Sequence, residues 1–249
     1  MELRIISIPK ANVLKIAHKK MQASFYYTHL GKRSNNQDAL YIDGQGVYIV
    51  CDGVGGSING HLAATFVADT LGKQLSELPN VNAEQLSIIL KQTEKQLLSY
   101  LMQQQSVGAS TTLALIVELN NKLIIAHCGD SKVMVYREKQ KIFETRSHTY
   151  VNFLVEKKII SSQEALTHPQ KNKITRFVDG VNPAVLDITQ IECQRNDIFI
   201  LFTDGVEEGI DIHELLSNSD NVTEINETII AACTLKSNDN FTFILKKVQ

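Results

Sequence analysis

The chain has 249 residues, 43% of them hydrophobic and 21% charged, and a formal net charge of −2. That length carries a sizeable core in one large domain or two small ones, and the near-neutral balance offers no polybasic surface for nucleic acid or membrane. No apolar run is long enough to cross a bilayer, the opening MELRIISIPK is not laid out as a signal peptide, and Cys51, Cys128, Cys193 and Cys233 lack zinc-site spacing, so a cytoplasmic protein with buried, reduced thiols is expected.

Residues 2–8 (ELRIISI) and 23–29 (SFYYTHL) read as strands, and the stretch between them, ANVLKIAHKK, is a loop or a short helix. Gly31 through Asp38 is polar and turn-rich, and 39–42 with 46–51 forms a hairpin around Asp43-Gly44-Gln45-Gly46. The run VYIVC from Val47 is unbroken and apolar, as in a strand buried on both faces. It stops at Asp52, where Gly53-Val54-Gly55-Gly56 lets the backbone turn sharply and bring a carbonyl close to whatever the carboxylate holds. Ser57 or Asn59 is placed to cap a helix through about residue 75 carrying Leu62, Phe66, Ala68 or Asp69, and Leu71. A second helix starts at Asn82, with Gln85 completing a capping box and Leu86, Ile89, Leu90, Thr93, Leu97 and Leu101 forming one stripe.

From 109 the period changes. Residues 110–118, 122–128, 132–137 and 140–145 read as an antiparallel meander of four strands. A helical segment over 149–157, a capping box from Ser161 to Glu164 and a loop at His168-Pro169 follow. Residues 184–192 and 197–203 are strands, a helix covers about 222–233, and 241–247 is the last strand. In all, about ten strands lie mostly in hairpin order, with two long helices between strand groups. Hairpin order demands antiparallel sheets, and near-continuous apolar strands need cover on both faces. The expected fold is therefore α+β: an α-β-β-α sandwich, with two mainly antiparallel sheets face to face, helices outside, and one domain over 1–249.

An acid recurs at strand ends. IFILFTDG (198–205) ends in Asp204-Gly205, LIIAHCGD (123–130) ends in Gly129-Asp130, Asp239-Asn240 precedes FTFIL, and Asn36-Gln37-Asp38 precedes ALYI. Acids so placed can converge on one sheet edge across 200 residues of sequence, and a rigid strand delivering an acid beside bare backbone suits a hard divalent cation.

Arg33 with Asn36-Gln37-Asp38, CDGVGG at 51–56, GASTT at 108–112, CGDSKVMVY at 128–136, FTDGV at 202–206 and NDNFT at 238–242 together resemble the metal-dependent protein phosphatases of the 2C type, in the form of short bacterial members. One such piece alone would only mark a turn; six in order carry the resemblance over residues 31–245. It implies two Mn²⁺ or Mg²⁺ ions at one edge of the sandwich, with Asp52 bridging them, Gly53 lending its carbonyl, and Asp204 and Asp239 as further ligands. It also implies that Asp38 holds a metal-coordinated water, that Asp130 helps hold a third, weaker metal, and that Arg33 grips the substrate phosphate. Asp38, Asp52, Asp204 and Asp239 supply four negative charges against four positive ones, leaving a neutral site for a dianionic phosphate monoester. The implied activity is hydrolysis of phosphoserine and phosphothreonine on phosphoproteins by a metal-activated water, with no phosphoenzyme intermediate. The implied partner is a phosphoprotein substrate of a serine/threonine kinase, met by a monomer without nucleic acid or membrane insertion.

Gln37 stands where many relatives carry Glu, Val54 where animal relatives have a His proposed as general acid, and Ser147 where an Asp is common. None of these removes a ligand. GASTT is read as small residues that allow close packing, and His127 as a satisfied core histidine. The segment 146–180, basic at Arg146, His148, Lys157, Lys158, His168, Lys171, Lys173 and Arg176, is read mostly as a solvated face and in part as a flap beside the metals. The rival reading is a non-catalytic pseudophosphatase that binds a partner through the same edge; the intact set of acids speaks against it. A two-metal nuclease would need a basic groove that the sequence lacks.

Overall fold

The computed structural model describes residues 24–54 and 59–249, so the strand expected over 2–8, the stretch 11–20, Gly55, Gly56 and Ser57 lie outside the described residues. Ten strands form two five-stranded sheets among these residues, and every pairing is antiparallel. One sheet has the order β1 (Ser24–His29), β10 (Phe241–Lys247), β9 (Ile198–Phe202), β6 (Lys132–Arg137), β7 (Gln140–Glu144). The other runs β2 (Asp38–Ile42), β3 (Val47–Asp52), β4 (Leu113–Leu119), β5 (Lys122–Cys128), β8 (Asp187–Glu192).

The unbroken apolar strands are explained by three stacked cores. Along β3, Tyr48 and Val50 face inward and pack with Ala114, Ile116, Val133, Val135, Phe199, Leu201 and Ile244 between the sheets. The alternate residues Val47, Ile49 and Cys51 face outward onto α1 (Gly60–Ser76) and α2 (Ala83–Gln103). On the other outer face Ile200, Phe202, Phe243 and Leu245 meet Val206 of α5 (Gly205–Gly209), Ile212 and Leu216 of α6 (Ile212–Asn218), and Ile225 and Ile229 of α7 (Val222–Lys236). The layers are therefore helix, sheet, sheet, helix, as expected. All four cysteines are buried and unpaired.

Two details differ from the sequence pattern. The expected four-strand meander is two hairpins in different sheets: β4 and β5 pair in one, β6 and β7 in the other. The cross-over happens at Gly129, whose φ of +106° turns the chain out of β5, and where a Cβ would lie 2.6 Å from the Thr112 methyl. Along α1 the buried stripe is Ala63, Ala64, Val67, Ala68, Leu71 and Leu75, while Phe66 is half-buried and stacks on Tyr100 of α2. Asn59 occupies the cap position of α1 without capping it; its side chain donates instead to Ser106 Oγ at 2.7 Å. The α2 stripe and its Asn82–Gln85 box form as expected, and so does the Ser161–Glu164 box, which opens α4 (Ser162–Thr167) after α3 (Tyr150–Glu156).

Candidate active site

The acids singled out in the sequence converge on one end of the sandwich. Asp38 opens β2 and Asp52 closes β3, and the two are direct cross-strand partners. Asp204 follows β9 at the start of α5, with no side-chain cap bond to occupy its carboxylate. Asp239 leads into β10, and Asp130 lies in the turn between the sheets. Both sheets thus contribute: one gives Asp38 and Asp52, the other Asp204 and Asp239.

Hydroxyls and amides lock this rim together. Thr203 Oγ1 donates to Asp38 Oδ2 at 2.9 Å, which ties the end of β9 to β2 in the opposite sheet. The Asp52 amide donates to Thr112 Oγ1 at 2.9 Å, and Thr111 Oγ1 donates to the Asp52 carbonyl at 2.9 Å. Thr112 Oγ1 also sits 2.6 Å from Ser131 Oγ, next to Asp130. Asn240 Oδ1 accepts the Gln37 amide at 2.8 Å, while its Nδ2 donates to the carbonyls of Leu30 and Asn35. Glu208 Oε2 takes the amides of Asn238 and Asp239 at 2.7 and 3.3 Å. Gly53 is packed so tightly that a Cβ would lie 2.5 Å from the Gly60 carbonyl carbon and 2.7 Å from the Gln37 oxygen.

The electrostatics follow from this crowding. Burial pushes the Asp38 carboxyl up to about 7, with the charge of Asp239 adding to the rise and hydrogen bonds from Thr242 and Thr203 opposing it. Burial, then the charges of Asp130, Asp38 and Asp239, push Asp204 up to about 7 as well. Asp52 is raised well above the usual range by burial and by Asp38, Asp204, Asp130 and Asp239 together. Asp130 is raised, mainly by burial. Carboxylates that repel one another in a desolvated corner have few remedies: protons, or cations. Asp38 Oδ1 is buried and has no hydrogen-bond partner among the described residues, as is Gln37 Oε1 beside it in the chain. A hard, oxygen-rich, over-charged donor set with a free buried carboxylate oxygen fits divalent ions such as Mn²⁺ or Mg²⁺.

Arg33 reaches the same rim. Its Nε and Nη2 donate to the two oxygens of Asp239 at 3.0 and 2.6 Å, while 59% of its side chain remains exposed. The guanidinium is therefore at the mouth, engaged with an acid expected to hold metal.

Residues 27–238 match the family model described as Protein phosphatase 2C. The chain belongs to the protein phosphatase 2C family. It is 28% identical to protein phosphatase PhpP of Streptococcus pneumoniae over 210 residues, covering 80% of this chain and 85% of that one. It superposes on the crystal structure of the serine/threonine phosphatase Stp1 from Staphylococcus aureus with a TM-score of 0.81 and 26% identity, over 95% of this chain and 100% of that one. The fold is shared also with the catalytic domain of the phosphatase PstP, solved in complex with two manganese ions, at a TM-score of 0.78 and 24% identity over 91% of this chain and 98% of that one.

Within this 2C-type framework, several rim residues carry no motif signal of their own. The GASTT run was expected only to allow close packing, yet Thr111 and Thr112 hold both the carbonyl and the amide of Asp52. Thr203 and Asn240 adjoin motif acids and could have been suspected from that; Glu208 reads as any polar helix residue. His127 is a buried core histidine, as expected, with Nε2 donating to the Arg146 carbonyl at 3.0 Å. With His148 and Asp187 it makes a second group of metal-competent side chains. Their capacity is already committed: His148 Nδ1 accepts the Gly129 amide, its Nε2 faces Asp187 Oδ2 at 3.0 Å, and the Arg176 guanidinium lies 2.7 Å from Asp187 Oδ1. A cation already sits on that carboxylate, so the group is a hydrogen-bond cluster and not the counterpart of the acid rim.

Proposed function

We propose that this protein is a metal-dependent serine/threonine protein phosphatase that hydrolyses phosphomonoesters on phosphoprotein substrates at the acid rim. Asp52, Asp204 and Asp239, with the Gly53 carbonyl, would hold two Mn²⁺ or Mg²⁺ ions, Asp38 would orient water beside them, and Asp130 would serve a third, weaker ion. When bound, these ions lower the pKa of water to give a nucleophile near neutral pH and neutralise charge on the phosphate. The chain's own residues do the rest. Asp52 is held at both amide and carbonyl by Thr112 and Thr111, so its backbone is fixed and only the side-chain torsions remain to place the carboxylate. Asp38 keeps one oxygen on Thr203 and the other free toward the rim. Arg33, with its planar fork of donors, exchanges Asp239 for the oxygens of the phosphoryl group and steadies the charge that builds there.

The observation that carries this reading is that five acids from both sheets meet at one edge, with the carboxyls of Asp38, Asp52, Asp130 and Asp204 raised and hydroxyl bridges running between their elements. A non-catalytic binding protein has no need of such a mutually repelling set. The substrate's phosphate is placed by a serine/threonine kinase, and the protein acts as a cytoplasmic monomer of one domain. No helix among the described residues is long and apolar enough to cross a membrane. The segment 146–180 acts beside the rim as a flap that reads the phosphoprotein; neutralising its lysines lowers phosphopeptide turnover while sparing aryl phosphate turnover, and equal loss on both would refute that role.

The deciding experiment is hydrolysis of an aryl phosphate and of a phosphothreonine peptide with Mn²⁺, with chelator, and with Asp204→Asn. Turnover is expected only for the native chain with Mn²⁺. Chelator-insensitive turnover, or full activity in Asp204→Asn, would end the proposal.

A further inference from the structure

The turn that carries Asp130 is gripped by a histidine 18 residues further along the chain. The His148 amide donates to the Gly129 carbonyl at 2.8 Å, and the Gly129 amide donates back to His148 Nδ1 at 3.1 Å. Because Nδ1 accepts, the proton of the neutral ring is on Nε2, which donates to Asp187 Oδ2 at 3.0 Å. Arg176 Nη1 donates to the other oxygen of Asp187 at 2.7 Å and lies 3.1 Å from Nε2, so Asp187 receives protons from both. The His148 ring stacks on His127 with centroids 4.4 Å apart and planes 12° from parallel. Tautomer, tilt and position of the imidazole are thus all fixed, in a residue that is 9% exposed.

What the clamp fixes is the geometry next to Asp130. Gly129 has φ of +106° and backs onto Thr112, whose hydroxyl serves both Ser131 and the Asp52 amide. The Gly129–Ser131 turn is therefore held on one side by the strand that positions Asp52 and on the other by His148. The chain beyond His148 is tied in as well: Thr175 donates its amide and hydroxyl to the His148 carbonyl, and Val178 pairs with Thr111. The base of the 146–180 segment is anchored to the rim at both ends.

We propose that His148 is a positioning residue: its ring, oriented by Asp187 and Arg176, holds the Gly129 turn so that the Asp130 carboxylate faces Asp52 and Asp204, and so sets the affinity of that corner for a divalent cation. The proposal rests on the reading of Asp130 as a metal-holding acid, and the test separates the two. Mn²⁺ binding to the full chain is followed by calorimetry and by the electron paramagnetic resonance of free Mn²⁺, alongside thermal unfolding. Asp130→Asn identifies the ion that depends on that corner. His148→Leu should weaken the same ion by about tenfold or more while leaving the others unmoved. His148→Asn, whose amide oxygen can take the place of Nδ1 as acceptor for the Gly129 amide, should restore it. Asp187→Ala, at an exposed position, should give a smaller loss confined to the same ion, and is the working variant if His148→Leu does not fold. If Asp130→Asn keeps every ion, the reading of Asp130 fails. If Asp130→Asn loses one that both His148→Leu and Asp187→Ala retain, the clamp fails, and uniform loss of all ions in step with the melting temperature reduces His148 to a core residue.

Discussion

Replacing Asp204 by Asn should abolish catalysis and yet stabilise the chelated protein. Asp204 lies just beyond a fully buried strand, and its carboxyl is pushed from 3.8 up to about 7, first by burial and then by Asp130, Asp38 and Asp239. Between those two values the folded state holds a proton that the unfolded chain has released, so stability falls as pH rises through this window. At roughly 1.4 kcal/mol per pH unit, the displacement amounts to about 4 kcal/mol against the folded state above pH 7. Part of this is repulsion shared with the neighbouring acids, which leaves about 2–4 kcal/mol for a single substitution to remove. Asn is nearly isosteric, and no helix cap is lost, because the Asp204 side chain makes no cap bond. In chelator at pH 8 the variant should melt about 5–10 °C above the native chain, with the gain shrinking toward zero near pH 4. Added Mn²⁺ should reverse the order, because ions that bind only the folded native chain raise its stability by mass action. A variant less stable than the native chain in chelator at pH 8, or a gain that ignores pH, would refute the account of the rim as a repelling set of acids.

Arg33→Ala should lower kcat/KM by about 10–100-fold, as expected for the loss of charge-assisted hydrogen bonds of about 1.5–3 kcal/mol. Inhibition by inorganic phosphate should weaken in parallel, and steady-state kinetics with and without phosphate checks both. Gly53→Ala forces a Cβ to within 2.5 Å of the Gly60 backbone, so it should displace the Gly53 carbonyl; Mn²⁺ affinity measured by calorimetry should fall together with activity. Lys246 is 3% exposed and pairs with Glu118 and with Tyr48 at the opposite end of β10 from Asp239. Lys246→Met should cost about 3 kcal/mol in urea unfolding by leaving the Glu118 charge without its cation, on the Tyr48 hydroxyl alone; Glu118→Gln in the same chain should recover much of that, with specific activity unchanged throughout.

The sandwich was legible because its strands are written without alternation. VYIVC and IFILF can only be buried on both faces, and each alternate residue of β3 does go to a different core. The α2 stripe was legible for the complementary reason, a clean 3.6-residue period behind a capping box. Sheet membership was hidden. The chain from β5 to β6 reads like any hairpin turn, and only the left-handed Gly129 and its packing on Thr112 reveal a change of sheet. Helices α5 and α6 were missed because each is short: they cover 5 and 7 residues, too few for a period to register. The stripe of α1 was misplaced for a different reason. Its contact face is built from Ala63, Ala64 and Ala68, small side chains that let the helix sit close to β2 and β3 and that a search for large apolar residues passes over.

At the site, the acids were legible because each is a discontinuity: an apolar strand that halts at a charge. Their supports were not. Thr203, Thr112, Ser131 and His148 act by bridging elements that are remote in sequence, and a hydroxyl or a ring that bridges looks in the sequence like any other polar residue. The division has a physical basis. The acids proposed to hold metal sit where apolar strands halt, so the hydropathy pattern marks them, whereas the groups that orient them lie within the fold, where burial is tolerated as long as every donor and acceptor is matched. The Thr203–Asp38 bond, made across the sandwich between an acid of one sheet and a hydroxyl of the other, is what makes the rim one object.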